Sequence, residues 1–218
     1  IAAVAARIMK LSLDQTRHAM GIAEYHGPRS QMMRCIDHPT MLKDGSGWGA
    51  MCGVSAARMA KAGFTGAPAV ILQTEHWHDL GENWLITQQY FKPYPVCRWA
   101  QGPIAAVLDL KSHYEFKSNE IASVHITSFH EAVRLGQKDV TNTEEAQYST
   151  SFPCAVALVH DNILPKHITD DALKDSEVQR LSSILTMSED DHANLVFPES
   201  RLARADINLK NGRSLSST

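Results

Sequence analysis

The chain has 218 residues, 44% hydrophobic and 21% charged, which is enough apolar material to bury a core and too much for a disordered polymer. Its formal net charge is -3 and its pI is near 6.4, so it lacks the basic excess that neutralises a phosphate backbone and no nucleic-acid partner is expected. Four scattered cysteines (Cys35, Cys52, Cys97, Cys154) form no Cys-x-x-Cys pair, which argues against a zinc ribbon, an iron–sulfur site or a disulfide scaffold and fits a reducing, cytoplasmic compartment. No apolar run approaches the ~20 residues of a membrane span. Arg7 and Lys10 interrupt the apolar start, so no signal peptide is read there. The chain opens on Ile1, already inside a helical pattern, and is read as a fragment; the alternative is a processed chain whose missing ends are short.

In chain order, residues 1–25 carry apolar positions at helical spacing, with a second stretch starting at Asp14 and Gln15 and ending at His26-Gly27-Pro28. Residues 29–47 read as a polar loop. Residues 48–62 read as a helix rich in small side chains, a surface that lets neighbouring helices approach closely. Leu85–Phe91 reads as a strand, and 103–114 as a helix with Pro103 in its first turn. Ile121–Thr127 alternates and predicts a strand. Residues 143–161 predict a helix capped by Thr143, and 170–185 another. Residues 201–209 alternate again, and Asn211-Gly212 signals a hairpin turn. Helices come first and a mixed region follows. The expected fold class is therefore mixed: a partial all-α helical domain over residues 1–79 and a smaller α+β lid domain over 80–218, truncated at its C-terminal end.

Several segments concentrate chemistry. The 29–47 segment gathers Arg29, Arg34, His38 and Lys43; it is either a solvated surface loop or a cationic, proton-carrying loop presented by rigid helices. In Lys92-Pro93-Tyr94-Pro95-Val96-Cys97-Arg98 two prolines stiffen the backbone ahead of a helix start. Lys92, Arg98 and that helix start all favour an anion, although a rigid connector with incidental cations has the same composition. His76-Trp77-His78 could chelate a metal, but no third ligand stands nearby, and no metal is expected. Gln147, Tyr148 and Ser149 sit on a helix that either packs into a core or faces a site. No GxGxxG, Walker, GxSxG or HExxH pattern is present.

The segments His38–Gly45, Gly53–Ala57, Gly63–Pro68, Lys92–Arg98 and Ala146–Ser149 resemble the MmgE/PrpD family, in order and over nearly the whole chain. Members of that family include 2-methylcitrate dehydratase, cis-aconitate decarboxylase and iminodisuccinate epimerase. The resemblance implies a helical domain and an α+β lid with the active site between them, a homodimer formed through the helical domain, and chemistry without metal or organic cofactor. It also implies a longer family chain, so the first half of the helical domain would be missing here and this piece alone would be inactive. By resemblance Lys92 opens the Lys-x-Tyr/Phe-Pro motif, Lys43 stands near a basic site residue, Gln101 stands where many relatives carry a His, and Phe152 stands near a site Tyr of the decarboxylase.

The expected function is a metal-independent hydro-lyase acting on a small polycarboxylate, by proton abstraction next to a carboxylate. Lys92, Lys43 and His38 are the expected catalytic residues; Arg34, Arg98, Gln101, Gln147 and Phe152 are expected to bind substrate. Decarboxylase and epimerase chemistry on the same scaffold, or a non-catalytic fragment that only dimerises, are the alternatives.

Overall fold

A computed structural model describes residues 1–74, 77–136 and 139–217. They form two compact units, Ile1–Cys35 with Leu42–Tyr90, and Ile36–Met41 with Phe91–Thr218.

The described elements of the first unit are helical. α1 (Ala2–Ile8) and α2 (Leu13–His26) are separated at Lys10–Ser12, where Ser12 accepts the Gln15 N–H and Gln15 returns the bond in a capping box. α4 (Ser46–Lys61) packs on both. Its buried Ala56, Ala57 and Ala60 meet Ala5, Ala19 and Ile22, so the small-residue stripe does bring the helices close. α2 also anchors the chain beyond α4: the Glu24 carboxylate accepts the N–H groups of Val70 and Ile71, both at 3.1 Å.

Two expectations fail in this part of the chain. The 29–47 segment is not all loop, because it contains the short helix α3 (Met32–Asp37). Leu85–Phe91 is not a strand: Leu85–Gln88 is one turn of 3-10 helix, with Leu85 and Ile86 exposed and the Thr87 hydroxyl donating to the Trp84 carbonyl. A strand needs a neighbour to take its backbone groups; local turn bonds took them here.

The second unit is built on a four-stranded sheet of order β2-β1-β3-β4. β1 (Ile121–Ser128) runs parallel to β2 (Leu185–Glu189) and antiparallel to β3 (Ala203–Leu209), which forms a hairpin with β4 (Ser214–Ser216). The hairpin turns at Asn211-Gly212, where Gly212 has φ +87°. A parallel pair needs a long crossover, and α6 (His130–Arg134), α7 (Thr143–Gln147), α8 (Ser151–His160) and α9 (Ser176–Ile184) supply it. α5 (Gln101–His113) precedes β1, and α10 (Asp191–Val196) follows β2. α5 packs on β3, α9 on β1, and α8 on α5 and α9. Val124, Ile126, Leu185 and Ile207 point into that helical layer and are fully buried, while Ser123, His125 and Thr127 on β1 face away.

The expected helix over 143–161 is two helices. Asn142, not Thr143, caps the first by accepting the Glu145 N–H at 2.8 Å. The break at Tyr148–Thr150 arises because short hydroxyl side chains compete for the backbone: the Ser149 Oγ accepts the Phe152 N–H, and the Thr150 hydroxyl donates to Ala132 O. Likewise Asp175 caps α9 by accepting the N–H groups of Glu177 and Val178, so that the helix begins at Ser176 and not at residue 170.

Candidate functional site

Around Lys92 the structure builds one loop from the inside out. Cys97 N–H donates to Gln147 O at 2.8 Å, tying the loop to the end of α7. Val96 is buried in the core. The exposed Lys92 side chain folds back so that Nζ donates to Val96 O at 3.0 Å. Gln101, the first residue of α5 and 4% exposed, lies beneath. Its Nε2 reaches Tyr94 O and Val96 O at 3.2 Å and Cys97 O at 3.3 Å, while its Oε1 accepts the Tyr94 N–H at 3.2 Å. Burial pushes the Tyr94 phenol above its ordinary pKa.

Arg98 opens a 3-10 turn, Arg98–Ala100, that runs directly into α5. Lys92, Arg98, Gln101 and Gln147 therefore belong to one neighbourhood, as a group of cations and amides at a helix start. The Gln147 side chain is half-buried and donates to Thr143 O at 3.0 Å, within its own helix.

Lys43 and Arg34 are exposed in the first unit. Beside Lys43, Asp44 accepts hydrogen bonds from the backbone and side chain of Ser46, which hold its carboxyl below the usual range. His38 lies on the short Ile36–Met41 stretch that groups with the second unit. That stretch is held by a bidentate ion pair, Arg134 Nε and Nη2 to the Asp37 carboxylate at 2.8 and 2.6 Å.

Phe152 is 2% exposed on α8 and lines a cavity of about 520 Å³ with Leu173, Gln179, Arg180 and Ser183. The Arg180 guanidinium is engaged by Glu177 and by the carbonyls of Ser118 and Ile121.

Arg201, whose backbone passes beside the α5 start, was not singled out in the sequence. Arg201 places its guanidinium 5.7 Å over the Phe197 ring. Its backbone passes so near Gly102 that a Cβ there would sit 2.8 Å from the Arg201 carbonyl oxygen. A glycine following Gln101 is the only trace this close approach leaves in the sequence.

The metal reading of His76 and His78 falls partly outside the described residues, since His76 is not among them. Among the described residues no group of three or more His, Cys, Asp or Glu side chains is arranged to hold a metal. No described helix is long and apolar enough to cross a membrane.

Comparison with family models matches residues 1–84 to the MmgE/PrpD N-terminal domain and residues 94–218 to the MmgE/PrpD C-terminal domain. No curated protein matches the chain.

Proposed function

The chain belongs to the MmgE/PrpD family, and on that premise we propose that it is a lyase-type enzyme acting on a small polycarboxylate. In the finer reading it is a metal-independent dehydratase of the 2-methylcitrate dehydratase kind. The observation that carries the proposal is the proline-stiffened loop at the start of α5, which holds the Lys92 ammonium at a defined place with Arg98 a few residues on.

Removing a proton next to a carboxylate builds negative charge on the carboxylate oxygens. A cation already in position stabilises that charge without having to reorganise, and this is usually the largest catalytic contribution. Lys92 supplies the point charge. Arg98, with its planar fork, suits a second carboxylate. In this reading Lys43 and Arg34 add positive charge from the helical domain. His38 moves the proton, imidazole being the commonest general acid or base. Gln147 and Phe152 contribute to substrate binding, Phe152 as an apolar wall with no hydroxyl to offer. The protein works as a homodimer.

The test is a screen of the complete gene product against 2-methylcitrate, citrate, cis-aconitate and iminodisuccinate, following alkene absorbance and CO2 release. Alkene formation without CO2 is expected. CO2 release or epimerised product would move the assignment to another activity of the family. Lys92→Ala is expected to lower turnover about 100- to 1000-fold, the usual loss for one preorganised charge-stabilising group. Near wild-type turnover in that variant would remove Lys92 from the mechanism.

A further inference from the structure

We propose that Gln101 is a positioning residue that holds the Lys92 ammonium in place through the loop between them, and is not itself a ligand of the substrate. The proposal rests on the reading of Lys92 as the substrate's cation.

The geometry carries it in three steps. First, the Gln101 amide is buried and its groups are spent: two amide hydrogens serve three carbonyls, those of Tyr94, Val96 and Cys97, and the amide oxygen takes the Tyr94 N–H. No donor is left to turn towards a ligand. Second, one of those carbonyls, Val96 O, is the acceptor that Lys92 Nζ uses. Gln101 therefore sets the orientation of the group that tethers the ammonium. Third, Gln101 is the first residue of α5, so the clamp refers the loop to a thirteen-residue helix whose inner face lies in the core. Pro93 and Pro95 remove most of the remaining freedom between residues 92 and 96.

This explains why a glutamine suits the position. A carboxylate of the same length would set negative charge against three carbonyl oxygens, and an apolar side chain would take the Gln101 donor from Tyr94 O and one of two donors from Val96 O and from Cys97 O, which keep Lys92 Nζ and the Ala100 N–H.

Two variants test it. Gln101→Met keeps length and volume and removes both the amide donor and the amide acceptor. Gln101→Glu keeps the acceptor for Tyr94 N–H and removes the donors, so the loop is still probed if the first variant does not fold. The substrate-independent readout is the rate of Lys92 acetylation by acetic anhydride, followed by peptide mass spectrometry. Exposed Lys61 and Lys117 serve as references. Lys111, on α5 itself and paired with Asp161 at 2.9 Å, is the control for general loosening.

Both variants are expected to raise Lys92 reactivity about five-fold, the effect of losing one ordinary hydrogen bond, with Lys111 unmoved. An unchanged Lys92 rate, or a parallel rise at Lys111, overturns the proposal. Citrate affinity by calorimetry supplies the second readout. Lys92→Ala and the double variant Lys92→Ala/Gln101→Met should bind citrate equally, because Gln101 acts only through Lys92. A further loss in the double variant overturns the proposal. If Lys92→Ala binds citrate as tightly as the wild type, the polycarboxylate reading of the site fails, and the acetylation rates still decide the role of Gln101.

Discussion

His167 shows how far surroundings decide what a single residue does. Its Nδ1 accepts the Leu164 N–H at 3.2 Å, and its ring stacks on His160 at 4.6 Å. His160 in turn lies 3.3 Å from the Asp175 carboxylate that caps α9. Burial first, then the charges of His160 and Lys166, hold the His167 pKa below its ordinary value of 6.5. The folded state thus prefers neutral His167 and binds fewer protons there than the unfolded chain does. Its contribution to stability is complete above the unfolded value and is lost as pH falls towards the lowered folded one. Thermal unfolding followed over roughly pH 5 to 8 should show this acid-side loss. His167→Asn keeps an acceptor for Leu164 but cannot take a charge, so it should flatten the profile. Superimposable wild-type and variant profiles would refute the assignment. At this scale the sequence was a mixed guide. The loop carrying Lys92 was legible as a stiffened turn, because two prolines and a helix start mark it. Gln101 was legible as a place worth naming, but not in its contacts, since no pattern in the chain says that backbone carbonyls already occupy its amide.

Among the elements, the alternating strands β1 and β3 and the hairpin turn between β3 and β4 were readable because one face of each strand is buried and the period is two. Helix ends were less so. The 142–151 region turns on which of several neighbouring polar side chains wins the backbone N–H groups, and this yields a prediction. Asn142→Ala should cost about 1 kcal/mol in urea unfolding through loss of the α7 cap. Thr143→Ala, which removes a hydroxyl that donates to Glu144, should cost no more than about 0.5 kcal/mol, as surface changes do. Equal losses in the two variants would return the cap to Thr143. The misread stretch at Leu85–Gln88 has the opposite cause: its composition suits a strand, but no described strand pairs with it.

Across the whole molecule the two units hold their cores differently. The helical unit packs alanines against each other at close range, whereas the sheet unit buries Ile104, Leu110, Ile126, Leu158 and Leu181 fully. They should therefore fail in opposite directions. Ile126→Ala, on the buried face of β1, should cost about 2–5 kcal/mol by leaving a cavity. Ala57→Leu, in the helical unit, should cost about 1–3 kcal/mol by over-packing. Chemical denaturation of both variants checks this, and a neutral Ala57→Leu would mean that the alanine stripe has slack. The resemblance of five short segments was sufficient for the family, and composition and periodicity for a helical part followed by a mixed one and for a stiffened loop at residues 92–98, because these depend on residue type and spacing along the chain. Which side chains close on which carbonyls, where helices break, and that Asp37 is paired with Arg134 almost a hundred residues away were decided only by the tertiary structure. The Asp37–Arg134 pair joins partners distant in sequence, while the helix break and the Gln101 clamp are competitions among near neighbours, and in neither case does residue type along the chain record which partner wins.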